Sequence, residues 1–209
     1  RHDVPWSEVR LLMVLCHERV PMIVTEESPF APHSFCNQKT LIRFGREGGG
    51  MKLNEEKFTI PVGDKTVSSI RTSTDKNPVF TFVYAPGAGS NINDPFGEYL
   101  SSHLPAVGAS LVRFQFPYMD AGRRGPDRPA LLEETWRQII NSFRPKEGKL
   151  VIGGRSMGGR IASQVVAQGI QVDALALFAY PLHPPSNRSA IRDEHLKDII
   201  VPTIFCSGS

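Results

Sequence analysis

A chain of 209 residues, 40% hydrophobic and 22% charged, is long enough for one globular domain with a sizeable core. A net charge of +3 without a basic stripe argues against a nucleic-acid surface, and no apolar run approaches the roughly 18 residues that span a bilayer. Three cysteines (Cys16, Cys36 and Cys206), widely spaced and odd in number, offer no disulfide framework and no metal spacing. The chain therefore reads as cytoplasmic, with no metal or other cofactor.

Residues 1–50 show weak periodicity and scattered prolines. Gly45-Arg46-Glu47-Gly48-Gly49-Gly50 stands directly before Met51, and its residues are ones that purine-rich codons encode, as in a ribosome-binding site. The expectation is a start at Met51, with 1–50 a non-native or poorly ordered extension and 51–209 the functional domain. An authentic extension is the alternative.

Beyond Met51 the elements follow one another clearly. Phe58–Ile60 and Val67–Ile70 alternate apolar and polar about Gly63-Asp64, which predicts an antiparallel pair. Residues 79–84 form a continuous apolar strand, and Pro95, Phe96, Tyr99, Leu100 and Leu104 recur at helical spacing. A strand over 111–116 stopped by Pro117 is followed by an amphipathic helix through Leu132, Trp136, Ile139, Ile140 and Phe143. Strand 149–153 runs into a helix over about 157–168 ended by Gly169, then come strand 174–180 and a last strand from Pro202. Strands alternating with helices predict a doubly wound, mostly parallel α/β sheet covered on both faces. Its ligand site should lie beyond the carboxyl ends of the strands, where 86–90, 117–124, Ser156 and 180–184 converge.

Gly154-Arg155-Ser156-Met157-Gly158, set between a strand and a helix, is a Gly-x-Ser-x-Gly nucleophile turn. Small residues are required on both sides, because side chains there would strike the crowded strand and helix. Ser156 is the candidate nucleophile for acyl transfer. The backbone N–H of Met157, at a helix start, and that of Ala88, in the Gly87-Ala88-Gly89 loop, are the candidate oxyanion donors. No P-loop or dinucleotide fingerprint is present. His183 lies at the active edge, either as a base or as a pocket or loop residue. His103 and His195 fall in helical, solvated segments. Arg123 and Arg124 either bind an anionic substrate group or balance Asp120 and Asp127, with Asp127 capping the next helix. Gly87, Tyr118, Arg123, Arg124 and His183 are the candidate pocket residues.

Four segments together resemble the α/β-hydrolase superfamily, in its small, lidless dienelactone-hydrolase-like branch. They are Ala85–Gly89, Phe116–Met119 with Gly122–Arg128, Gly154–Arg160 and Tyr180–Pro185, in family order over about residues 55–209. The closer likeness is to a little-characterised family shared by bacteria and by eukaryotic testis-expressed and chromatin-complex proteins. The resemblance implies an esterase or thioesterase acting on a small acyl substrate through an acyl-enzyme on Ser156. It also implies a catalytic aspartate shortly after the strand that begins at Pro202, and a histidine further on. The expectation is thus a C-terminally truncated domain whose acid and base lie beyond residue 209, nearly inactive as it stands, with an exposed sheet edge. A non-catalytic binding or scaffold protein on the same fold is the alternative.

Overall fold

A computed structural model describes residues 52–74, 77–184, 187 and 189–207. Met51 as a start, the 1–50 extension, Cys16 and Cys36 lie outside the described residues. Strands β1 (Asn54–Val62) and β2 (Lys65–Ser73) form the hairpin, with Gly63 at φ +60 supplying the left-handed turn conformation. Then follow β3 (Phe80–Ala85), α1 (Pro95–His103), β4 (Ala109–Phe114), α2 (Pro117–Asp120), α3 (Pro129–Phe143), β5 (Lys149–Arg155), α4 (Met157–Ala167), β6 (Ala174–Phe178) and β7 (Thr203–Cys206). Short 3-10 turns occupy Leu104–Val107 and Leu196–Asp198.

The strands form one seven-stranded sheet in the order β1-β2-β4-β3-β5-β6-β7. β1, β2 and β4 pair antiparallel, and β4, β3, β5, β6 and β7 are parallel throughout. This is the mostly parallel α/β sheet that the alternating elements predict. One face is covered by α3 and α4, whose Leu132, Trp136, Ile139, Ile161 and Val165 pack with Val83, Val112 and Ile152. The other is covered by α1 and the 3-10 turn after it, whose Leu100 and Leu104 meet Phe82, Leu111 and Val151. Burial on both faces is why every residue of β3 and β4 is shielded from water and why these strands do not alternate. Among the described residues no helix is long and apolar enough to cross a membrane.

Two expected boundaries move, for local reasons. β4 ends at Phe114, and Pro117 does not merely stop it: it occupies the first position of α2, where its missing N–H costs nothing. β6 ends at Phe178 because Ala179 adopts φ +47, outside the extended region, while its N–H still donates to the Cys206 carbonyl at 2.7 Å. β3 connects through α1 to β4 on one side, and β4 returns through α3 to β5 on the other. A crevice therefore opens at the carboxyl ends of β3 and β5.

Candidate active site

Ser156 stands at the carboxyl end of β5 with φ 51 and ψ −114, a conformation that L-residues rarely occupy. Holding a side-chain-bearing residue there costs on the order of 1–3 kcal/mol, so the surroundings must over-determine it. They do. The Ser156 N–H donates to the Phe178 carbonyl at 2.8 Å, and its own carbonyl accepts from the Arg160 N–H at 3.0 Å. Gly154 and Gly158 are obligatory because a Cβ on either would run into the Ala85 carbonyl, and at Gly158 it would also come within 2.6 Å of the Pro86 carbonyl. The turn is thereby pressed against the end of β3, and the half-buried serine projects from it.

The loop after β3 meets the serine directly. A Cβ placed on Gly87 would lie 3.6 Å from the Ser156 Cβ. Ser90 closes this loop by donating its N–H to the Gly87 carbonyl at 3.1 Å, which leaves the Ala88 N–H without a partner among the described residues. The Met157 N–H, first in α4, is likewise free, as the opening amides of a helix are. The Ser156 turn and the loop after β3 thus lie against each other at the carboxyl ends of β5 and β3.

Two residues brace this loop from behind. The Tyr118 hydroxyl donates to the Ala88 carbonyl at 2.8 Å, and the side chain is 1% exposed. Tyr118 was a pocket candidate; its buried phenol is a strut for the loop. Burial, reinforced by Asp127, pushes its pKa up to about 12, so it remains a donor. The second brace, Asp94, is absent from the sequence-based candidates. Its carboxylate is buried and accepts from the Tyr84 hydroxyl (2.5 Å), the Ser90 hydroxyl (3.2 Å) and the Gly97 N–H (3.0 Å). The Arg155 guanidinium, next to Ser156 in the chain, lies 3.7 Å away. Burial and then the Asp94 hydrogen bond raise the Tyr84 pKa, which keeps that phenol protonated as well. The Asp94-Pro95 pair is a legible helix-start signal, since aspartate caps and proline suits the first helical position. Its reach to Tyr84 and Arg155 is not. Asp94→Ala is expected to lower stability by about 2–3 kcal/mol, because the Tyr84 hydroxyl and Gly97 amide lose their acceptor. Asp94→Asn, which keeps an acceptor, should cost less; urea denaturation of both variants checks the difference.

None of the remaining candidates forms a hydrogen bond or ion pair with Ser156 among the described residues. Arg123 pairs with Asp127, and Asp127 also accepts from the Tyr118 N–H at 2.8 Å. Asp127 therefore closes the α2 loop and does not cap α3, whose N-cap is Arg128. Asp120 is engaged by the Ser68 hydroxyl and the Gln115 amide and does not balance the arginines. Arg124 is exposed. His183 is exposed too, its Nδ1 3.0 Å from the Ala190 carbonyl of its own loop. His103 is the last residue of α1 and contacts the Tyr99 carbonyl at 2.8 Å. His195 departs from the solvated helix expected of it: half-buried before a 3-10 turn, it places Nε2 2.8 Å from the Ser163 hydroxyl on α4. None of these three histidines hydrogen-bonds Ser156. A groove of about 420 Å³ lies over β1 and β2, lined by Lys57, Ser68, Ile70, Ile92 and Gln115, and Ser156 does not line it. No group of described residues has a metal-binding constellation.

The fold has counterparts. A family model described as an alpha/beta hydrolase domain matches residues 78–209. Among solved structures, the chain is similar to a cold-adapted esterase from an Arctic intertidal metagenomic library, at 14% identity over 76% of this chain and 74% of that one, with a TM-score of 0.58. It is also similar to a candidate dienelactone hydrolase from Klebsiella pneumoniae, at 14% identity over 73% and 71% of the two chains and a TM-score of 0.56. An alpha-beta serine hydrolase homologue from Coxiella burnetii aligns at 16% identity over 73% of this chain and 86% of its own, with a TM-score of 0.53. At such identities these likenesses speak for the shared fold.

Proposed function

This chain belongs to the alpha/beta hydrolase family, and from that premise we propose that it is a serine hydrolase of the carboxylesterase or thioesterase type, with Ser156 as nucleophile. The observation that carries the reading is the backbone of Ser156, strained at φ 51 and ψ −114 beside the Gly87 loop. Strain of that kind persists where function requires it. In the proposed reaction Oγ adds to the carbonyl of a small ester or thioester. The two amides take the developing oxyanion, the alcohol or thiol departs, and water releases the acyl group. Each oxyanion donor is worth roughly 10²–10³ in rate. The closer kinship with the family shared by bacteria and by testis-expressed and chromatin-complex proteins belongs to the same proposal, as does a cytoplasmic location.

The proton of Ser156 needs an acceptor, and the described histidines are engaged elsewhere. That engagement favours a second reading, a non-catalytic hydrolase-like binding protein. The two separate in one experiment. Incubation of the 209-residue chain with p-nitrophenyl acetate is expected to acetylate Ser156 slowly, as seen by intact mass and peptide mapping, and Ser156→Ala to abolish it. Turnover should stay within about 10⁴-fold of the uncatalysed rate, the residue left by oxyanion and binding effects alone. His183→Ala should leave the acetylation unchanged. Absence of any Ser156 adduct would overturn Ser156 as the nucleophile of this chain, and loss of the adduct in His183→Ala would make His183 the base. Ser156→Gly should also be more stable than Ser156→Ala by about 1 kcal/mol, since glycine relieves the positive φ at a smaller entropic cost. Urea midpoints compare the two.

A further inference from the structure

Asp94 ends the loop that follows β3, and its two carboxylate oxygens serve different neighbours. Oδ2 accepts from the Tyr84 hydroxyl at 2.5 Å and from the Gly97 N–H at 3.0 Å, which fixes the start of α1 on β3. Oδ1 accepts from the Ser90 hydroxyl at 3.2 Å and lies 3.7 Å from a guanidinium nitrogen of Arg155. The Asp94 side chain is 2% exposed and that of Arg155 53%. Neither has another ion-pair partner among the described residues. A buried carboxylate whose hydrogen bonds come from neutral groups relies on this one cation to balance its charge. Burial also spares the pair part of the screening that weakens exposed ones.

The pair joins two segments that the proposed chemistry needs side by side. Arg155 is the last residue of β5, directly before Ser156, and Ser90 belongs to the loop of Ala88. Through its N–H on the Gly87 carbonyl at 3.1 Å and its hydroxyl on Asp94, Ser90 closes that loop onto the carboxylate. Other side-chain anchors of the loop come from the β4 side. Tyr118 holds the Ala88 carbonyl at 2.8 Å, Gln115 accepts from the Ile92 N–H at 3.0 Å, and Arg113 donates to the Ile92 carbonyl at 3.2 Å. Arg155 supplies a tie from the β5 side. Backbone contact at Gly87 and Gly158 limits how closely the Ser156 turn and the end of β3 approach. The ion pair opposes their separation.

We propose that Arg155 is a positioning residue: through Asp94 it holds the Gly87–Ser90 loop against the Ser156 turn at the spacing that acyl transfer uses. The inference rests on the reading of Ser156 as nucleophile and Ala88 as oxyanion donor, and adds the residue that fixes their spacing. An oxyanion donor held in place is worth roughly 10²–10³ in rate, and one held for part of the time keeps part of that. An ion pair with one half-exposed partner adds little to global stability. Loss of Arg155 should therefore be felt by the loop and the reaction while the rest of the fold is unmoved.

Two readouts on the 209-residue chain separate the tie from the chemistry. Amide hydrogen exchange at Ser90 reports on loop closure, and the rate of Ser156 acetylation by p-nitrophenyl acetate reports on its use. Arg155→Gln is expected to speed exchange at Ser90 at least about tenfold and to slow acetylation about tenfold, with the urea midpoint unchanged. Arg155→Lys, which keeps the charge, should recover most of both. Asp94→Asn keeps an acceptor for Tyr84 and Gly97 while removing the charge that Arg155 meets, and should slow acetylation as much as Arg155→Gln does. The double variant should be no slower than either single one, because both break the same contact. Unchanged exchange or unchanged acetylation in Arg155→Gln, or a double variant slowed by the product of the two single effects, would overturn the proposal. A parent chain that forms no Ser156 adduct sinks the hydrolase reading instead, and exchange at Ser90 then decides the Arg155 tie by itself.

Discussion

Gly158→Ala is expected to destabilise the protein by about 3 kcal/mol or more, at the upper end of what one added methyl group does in a packed interior. The added Cβ would overlap the Ala85 carbonyl and lie 2.6 Å from the Pro86 carbonyl. Both obstacles are backbone atoms, so no rotamer change relieves them, and α4 must move away from the end of β3. A loss of that size is a large fraction of a typical net stability of 5–15 kcal/mol. The same displacement carries the Met157 N–H away from the Ala88 N–H, so acetylation of Ser156 should fall with it even in the fraction that remains folded. Gly125→Ala is the control, since nothing lies within 4 Å of a Cβ there. Urea denaturation followed by circular dichroism measures both, and a Gly158→Ala protein as stable as the parent would mean that helix and strand do not touch as described.

Trp136→Ala should cost about 3–5 kcal/mol, the range for deleting a fully buried aromatic side chain. Trp136 is 0% exposed, packs edge-on against Phe114 with centroids 4.8 Å apart, and donates from Nε1 to the Gly158 carbonyl at 3.3 Å. It therefore links α3 and β4 to the first turn of α4, directly after Ser156. Trp136→Phe should recover more than half of the loss, because the ring volume is largely kept while the Gly158 carbonyl loses a donor. Circular dichroism is the appropriate probe, since fluorescence would lose its reporter.

Much of this architecture is legible along the chain because its signals are local. The apolar run before Pro86 marks β3, the spacing of Leu132, Trp136, Ile139, Ile140 and Phe143 marks the buried face of α3, and all five are buried as that spacing requires. Glycines on either side of Ser156 predict a turn with no room for side chains, and the Ala85 and Pro86 carbonyls supply the obstruction. Ala179 was unreadable, because nothing in an alanine announces a φ of +47. The surroundings of His195 are not legible either, because its neighbours Asp193 and Glu194 look solvated, whereas its partners Ser163 and Tyr180 are distant in sequence. The bond of the Tyr118 hydroxyl is hidden for the same reason, since its partner, Ala88, is 30 residues away.

The sequence by itself determined the kinds and order of the elements, the strand-to-helix turn that carries Ser156, and the convergence of four loops at one edge of a sheet. Those properties follow from periodicity, chain punctuation and excluded volume between near neighbours, which short segments express on their own. Only the tertiary structure decided that Asp94 and Tyr118 brace the loop of Ala88, that Asp127 neutralises Arg123, and that His195 meets Ser163. A hydrogen bond or ion pair acts over a few ångströms, and which groups come that close depends on how distant segments cross on the sheet.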